Sequence, residues 1–495
     1  MRPLDILALS FALTGCAVHG AALPGSSSPP VAPARGELGA TRPAVARLLE
    51  AAAMEHKLPS LSFAVVDRAG LVYFVGVGAR DASGAPVTVD SVFRIGSITK
   101  TFTGMALLVL RDAGKLGLDD PVVKYLPELS SARAPTSDSG PVTLRHLVTH
   151  SSGIPRLGRL DYGDSHEVSR IELRDAARSL ALDFAPGTRA VYSNLAMALA
   201  GPVIARVSGV PYRTFVDEHL LAPLGMRSTV WEPEAVAPGL LAQGWTAKGG
   251  AFVPCGAHWR LGAAEAMGGL YSSAADLSRY VAFQLSAWPP RDGADTGPLR
   301  RSSVRESQLV AGFAHAGREG FGVNWIVRDE PRLGYVVFHN GGTEGYHASV
   351  WMLPERGVGV IALGPATGDL DDISHRALEM IVDPGGPASR PTPIGGPARA
   401  ALARVRALLA APDRIAVERA FAPAFLAAIP ADQVVTIFQA ASAGAGACTG
   451  QRVAQAPSPG AASVELACEH GGLLVTIDAD PAPPHLLRAL TIEPR

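Results

Sequence analysis

Ser97 and Lys100 stand three positions apart in the run Phe93-Arg94-Ile95-Gly96-Ser97-Ile98-Thr99-Lys100-Thr101-Phe102. On a helix that spacing puts both side chains on one face, a turn apart. A serine hydroxyl is a weak nucleophile until a base removes its proton, and a buried lysine of lowered pKa can do so. Cation usage sharpens the point. Of the 44 basic residues only five are lysines (57, 100, 115, 124 and 248), and the rest are arginines. Arginine cannot release its proton, so the lysine at 100 is suited to a role its neighbours cannot take. Ile98, Phe102, Met105 and Val109 mark a helix that buries one face. Ser97 therefore falls near a helix N-terminus, where free N–H groups and the dipole favour developing negative charge. The plain alternative is a helix start with Ser97 as cap and Lys100 in solvent.

Two further stretches bear on that choice. Pro186-Gly187 leads into Tyr192-x-Asn194 and an apolar helix, Leu195 to Val207. A tyrosine beside a lysine can hold a lowered pKa and pass a proton, and an asparagine amide can both accept and donate. As an ordinary feature, Asn194 would be a helix N-cap. The second stretch, His339-Asn340-Gly341-Gly342-Thr343-Glu344-Gly345, ends a strand. Paired glycines let a substrate lie against the backbone, so that a strand N–H can form half of an oxyanion hole. Read alone, it is a glycine-rich hairpin.

Taken together and in this order, Ser97-x-x-Lys100, Tyr192-x-Asn194 and His339-x-Gly341 resemble the active-site elements of serine β-lactamase-like hydrolases. That superfamily holds class C β-lactamases, penicillin-binding D,D-carboxypeptidases, D-aminopeptidases and β-lactamase-like esterases. The likeness extends to Leu116-Gly117-Leu118-Asp119-Asp120-Pro121, Thr143 to Ile154, Pro223-Leu224-Gly225-Met226 and Gly268 to Ser273, and covers about residues 41–382. It implies that Ser97 is acylated, that Lys100 and Tyr192 share the proton transfers, and that Asn194 orients the lysine or a substrate amide. Ser97 and Gly342 would supply the oxyanion-hole N–H groups, with Asn340 and Gly341 also lining the substrate. His339 stands where many relatives carry lysine. The implied reaction is acyl-enzyme formation followed by hydrolysis, without metal or organic cofactor. His146 and His150, four apart, have zinc-ligand spacing, but Leu147 stands where that motif needs glutamate, and the family block gives them a structural role.

The elements that must position these residues alternate in texture. A helix around Ala44 to His56 precedes two strand-like runs, Ser60 to Val66 and Leu71 to Val77, with a turn signal between them. Residues 115–310 read as helices and loops. From Gly320 strands return at Phe321–Val327, Tyr335–His339, His347–Met352 and Val358–Leu363, and a helix at Leu370–Ile381 closes the part. The expected fold is α/β, an antiparallel sheet flanked by helices, with an inserted mostly helical lobe, of the β-lactamase/transpeptidase-like type. The site would lie at the seam. Residues 383–398 read as a Pro/Gly linker. Residues 399–495 read as a small α+β accessory domain with a meander, weakly similar to cystatin-like or NTF2-like domains.

Bulk numbers bound the rest. At 495 residues, 47% apolar and 18% charged, the chain is globular, and a net charge of −1 gives no support for nucleic-acid binding. Residues 1–16 read as a signal peptide whose Leu13-Thr14-Gly15-Cys16 resembles a lipobox, with Cys16 lipidated. A secretory cut near Ala21-Ala22 is the alternative, and residues 17–40 form a tether. Either reading exports the protein to the cell envelope or beyond, and a lipid would anchor it to a membrane. Export makes a Cys448–Cys468 disulfide plausible, leaving Cys255 as a thiol.

The expected substrate is a small molecule or peptide: an ester, a D-amino-acid peptide or a β-lactam. His339, Asn340 and Glu344 offer little fixed positive charge for a drug carboxylate, which favours ester or peptide hydrolysis. The rival reading is an idle module that binds peptidoglycan fragments or a partner at the envelope.

Overall fold

The protein is described by a computed structural model over residues 33–162, 166–249, 251–256, 258–313, 319–330, 332–366, 370–383, 394–458, 460–480 and 482–494. Cys16, the signal segment and most of the tether and linker lie outside the described residues.

The apolar run Ser60–Asp67 pairs with Gly70–Gly78 on one side and Val358–Gly364 on the other. From there the sheet continues through Tyr346–Leu353, Gly334–Thr343, Ile326–Glu330, Glu319–Phe321 and Gly312–Phe313, eight strands paired antiparallel throughout. Successive side chains of a strand face opposite ways. Accordingly Ala64 and Val66 join the core shared with the serine-bearing helix, while Phe63 and Val65 join a second core under the terminal helices Arg42–Glu55 and Leu370–Val382. Both faces are covered, which is why these strands read as continuous apolar runs.

Four boundaries depart from the sequence expectation. The end of the tether forms a helix, Arg35–Ala40, whose Leu38 is buried and whose Arg35 pairs with Asp67. The strand expected at Phe321–Val327 is two strands, because Asn324 takes a left-handed conformation (φ 59°) between Glu319–Phe321 and Ile326–Glu330. The helical lobe contains a hairpin, Trp245–Lys248 with Ala251–Pro254. The linker gives way early to the helix Gly396–Ala410, with Pro397 in its first turn, where a missing N–H costs nothing.

Residues 394–494 build their own core from Leu402, Val405, Phe421, Phe438, Val464 and Val475, among others. Their four strands form an antiparallel meander, and Cys448 and Cys468, register partners on neighbouring strands, are joined by a disulfide.

Candidate active site

Ser97 sits in a 3₁₀ turn, Gly96–Ile98, that runs directly into the helix Thr99–Asp112. It thus precedes the α-helix by a turn rather than capping it. Two contacts pin the turn to the Gly268–Tyr271 segment: Ile95 N–H donates to the Leu270 carbonyl (3.0 Å), and Leu270 N–H donates to Thr99 Oγ1 (3.1 Å). Facing the turn is the Gly334–Thr343 strand. A Cβ on Gly341 would lie 2.0 Å from the Ile95 carbonyl oxygen and 2.8 Å from the Ser97 nitrogen, so only glycine fits there. Gly96 is constrained mainly by its backbone. Its φ is +49°, and a Cβ would press on Gly341, Gly342 and Thr343.

Lys100 is fully buried and donates through Nζ to Ser97 Oγ at 2.8 Å and to the Met267 carbonyl. Burial, with a smaller contribution from the nearby charge of Arg156, pushes its ammonium well below the usual lysine range. The Tyr192 hydroxyl reaches the same serine. Its ring centre lies 5.1 Å from Lys100 Nζ and 4.4 Å from that of His150, with the two rings tilted by 31°. Here the sequence expectation is reversed. Burial raises the Tyr192 phenol above the tyrosine range, and the Ser97 hydrogen bond and Arg156 offset this only in part. The Tyr192 phenol is thus held in its protonated form, while burial favours the neutral amine of Lys100.

Asn194 does not act as the helix cap. Ser193 Oγ accepts from Ala196 N–H (3.0 Å) and takes that role. Nor does Asn194 hydrogen-bond Lys100. Its Nδ2 donates to the Tyr162 hydroxyl at 3.2 Å, and its buried Oδ1 has no partner among the described residues. His339 is 1% exposed, and its Nδ1 contacts the Asn340 carbonyl at 2.6 Å. A carbonyl only accepts, so Nδ1 carries the proton and Nε2 is bare. Burial, then repulsion from Lys100, lowers its pKa to about 4. His339 is neutral at pH 7 and cannot replace a lysine's charge. Asn340, expected to bind substrate, has its amide turned to the Asp371 carboxylate, although the residue still borders the pocket.

Ser97, Tyr192, Asn194, Asn340 and Gly342 line one cavity of about 320 Å³. Four of its other lining residues escaped sequence reasoning: Arg156, Tyr162, Trp259 and Thr343. Thr343 was within reach, since it follows Gly342 directly in the stretch from His339 to Gly345. Its buried hydroxyl has no partner among the described residues. A larger cleft of about 930 Å³, bordered by Glu167, Arg206 and Glu265, lacks Ser97 and Lys100. His150, read as structural, accepts from Ser193 N–H (3.1 Å) and so seats the Tyr192 loop; His146 Nδ1 accepts from Thr143 N–H (3.2 Å). Among the described residues no cluster of His, Cys, Asp and Glu is arranged to hold a metal.

The model of the Beta-lactamase family matches residues 45–379. The chain belongs to the Beta-lactamase family. The D-alanyl-D-alanine-carboxypeptidase/endopeptidase AmpH of Escherichia coli (strain K12) is 32% identical over 291 residues, 56% of this chain and 72% of that protein. Esterase EstB of Burkholderia gladioli is 36% identical over 192 residues, 35% of this chain and 48% of that one. The octameric penicillin-binding protein homologue from Pyrococcus abyssi shares the fold, with a TM-score of 0.61 and 23% identity over 89% of this chain and 94% of that chain. Within the Beta-lactamase family, then, this chain sits among serine hydrolases whose named activities already differ from one relative to the next.

Proposed function

We propose that the chain is an exported serine hydrolase that works through an acyl-enzyme on Ser97. The observation that carries this reading is the Lys100–Ser97 contact, 2.8 Å long, made by an amine whose burial favours its neutral form. Neutral Lys100 takes the Ser97 proton as Oγ attacks the substrate carbonyl. The Ser97 and Gly342 N–H groups receive the oxyanion. Tyr192, held protonated, gives a proton to the leaving group and regains one through Lys100. Water then releases the acyl group by the reverse sequence.

The substrate is an ester, a D-amino-acid peptide or a β-lactam. A neutral His339 on the strand wall supports the first two over the third. Residues 1–16, with Cys16 as lipid attachment point, support an envelope location. The idle-module reading is disfavoured, because a non-catalytic site has no use for a buried lysine of depressed pKa beside a serine. Turnover of p-nitrophenyl esters, a D-alanyl-D-alanine peptide and nitrocefin by the purified protein tests the assignment. Hydrolysis of none of the three would overturn it.

A further inference from the structure

We propose that the Ser97 pocket recognises a carboxylate on its substrate through Arg156, on the Tyr192–Asn194 wall rather than on the wall of the Gly334–Thr343 strand. The inference rests on the hydrolase reading and deepens it to a substrate class.

The charges bordering the pocket are one-sided. Its lining includes Arg94 and Arg156 and no aspartate or glutamate. Arg156 is exposed, and its guanidinium carbon lies 5.3 Å from the centre of the Tyr192 ring. Its main-chain carbonyl accepts from Asn194 N–H (2.9 Å) and Leu195 N–H (3.1 Å), so its backbone is fixed to the motif it serves. Among the described residues no carboxylate pairs with it. Arg94 is only 2% exposed. Its guanidinium lies 5.5 Å from the Tyr271 ring centre, and its Nε has no acceptor among the described residues. Glu232 lies near enough to act on Arg94 electrostatically but is ion-paired to Arg213 (2.7 Å) and Arg260 (2.6 Å). Arg156 thus borders the cleft without a counter-ion among the described residues, and the buried Arg94 adds a second positive charge to its lining. Such a cleft concentrates anions.

The opposite wall lacks this charge. His339 is neutral, Asn340 is occupied by Asp371, and Thr343 offers only a hydroxyl. Arg156 is the cation that is both exposed and next to the reacting groups, and its planar fork suits a carboxylate.

The test compares kcat/KM for three esters: p-nitrophenyl butyrate, p-nitrophenyl hemisuccinate, and 3-carboxy-4-nitrophenyl butyrate. The second carries its charge on the acyl side and the third on the leaving group. Wild type is expected to favour at least one charged ester by about tenfold or more, the range of a charge-assisted hydrogen bond. That ratio should fall about tenfold in Arg156→Gln, survive largely in Arg156→Lys and invert in Arg156→Glu. In wild type the charged ester should also lose rate with added salt while the neutral one does not, a readout independent of how the variants fold. Unchanged ratios in Arg156→Gln, or no salt dependence in wild type, would overturn the proposal. A wild type that labels with a fluorophosphonate yet shows no charge preference would overturn this inference alone. One that neither labels nor hydrolyses any of the three would overturn the hydrolase reading with it.

Discussion

Gly341 packs so tightly against Ser97 that a single added carbon would sit 2.8 Å from the serine nitrogen, at the backbone group proposed to hold the oxyanion. The strand and the serine turn are therefore set against each other by the lack of a side chain. Gly341→Ala should push the strand back, cut acylation by about 10²-fold or more, and destabilise the fold by about 1–3 kcal/mol. Single-turnover acylation kinetics and denaturant unfolding on the same variant check both numbers.

Lys100 is the base only if its amine is neutral at the working pH. Replacing it by methionine, of similar length and without charge, should reduce acylation by about 10²–10⁴-fold. Lys100→Arg should do no better, because arginine stays protonated. A Lys100→Arg protein acylating at the wild-type rate would remove the lysine from the mechanism.

The pH dependence follows from two burials. Acylation should rise with pH along a limb set by Lys100, lying well below the ordinary lysine value of 10.5. His339, with a pKa of about 4 against 6.5 when unfolded, adds no limb near neutrality. It instead makes stability fall with pH. Between about 6.5 and 4 the unfolded chain binds a proton that the folded one refuses, and His150 acts in the same direction. Glu265, which burial raises to about 7, acts in the opposite direction over the same range, so the His339 contribution is read by difference. Between pH 7.5 and 4.5 the urea midpoint of wild type should fall further than that of His339→Gln, and equal changes in the two proteins would contradict the burial of His339.

Asp371 ties the site strand to its neighbour and to the last helix of the domain. It accepts from Asn340 Nδ2, from Ser349 Oγ (2.6 Å) and from Trp351 Nε1 (3.2 Å). Asp371→Ala leaves three donors unmatched and should cost about 2–3 kcal/mol. Because Asn340 is next to Gly341, kcat should fall with stability, whereas a purely structural strap would leave the folded enzyme's kcat unchanged.

In residues 394–494, proposed above as an accessory domain with its own core, the disulfide closes a loop of 20 residues, a constraint worth about 3 kcal/mol in the chain-entropy picture. The Cys448→Ser/Cys468→Ser variant should unfold this domain at lower urea concentration with the acylation rate unchanged. Loss of acylation in step with that unfolding would mean the domain supports the active site.

Much of this was legible from residue types alone. Alternating apolar pairs such as Phe63/Val65 and Ala64/Val66 mark a strand covered on both faces, and the three motif segments around Ser97, Tyr192 and His339 are short enough to be recognised. Burial was not legible. The sign of the Tyr192 shift depends on how deeply the ring is enclosed, and the neutrality of His339 on a carbonyl that only the fold brings to Nδ1. The break at Asn324 rests on one left-handed residue inside an apolar run. Arg156 ends the block Gly153-Ile154-Pro155-Arg156, where a cation after a turn looks like ordinary surface until Asn194 is found bonded to its carbonyl.

The most direct measurement is intact-mass and peptide-mapping spectrometry after exposure to a fluorophosphonate. The account predicts one adduct per chain, on the peptide containing Ser97, absent in Ser97→Ala and strongly slowed in Lys100→Met. An adduct that persists in Ser97→Ala, or a folded wild-type protein that takes none, would contradict it.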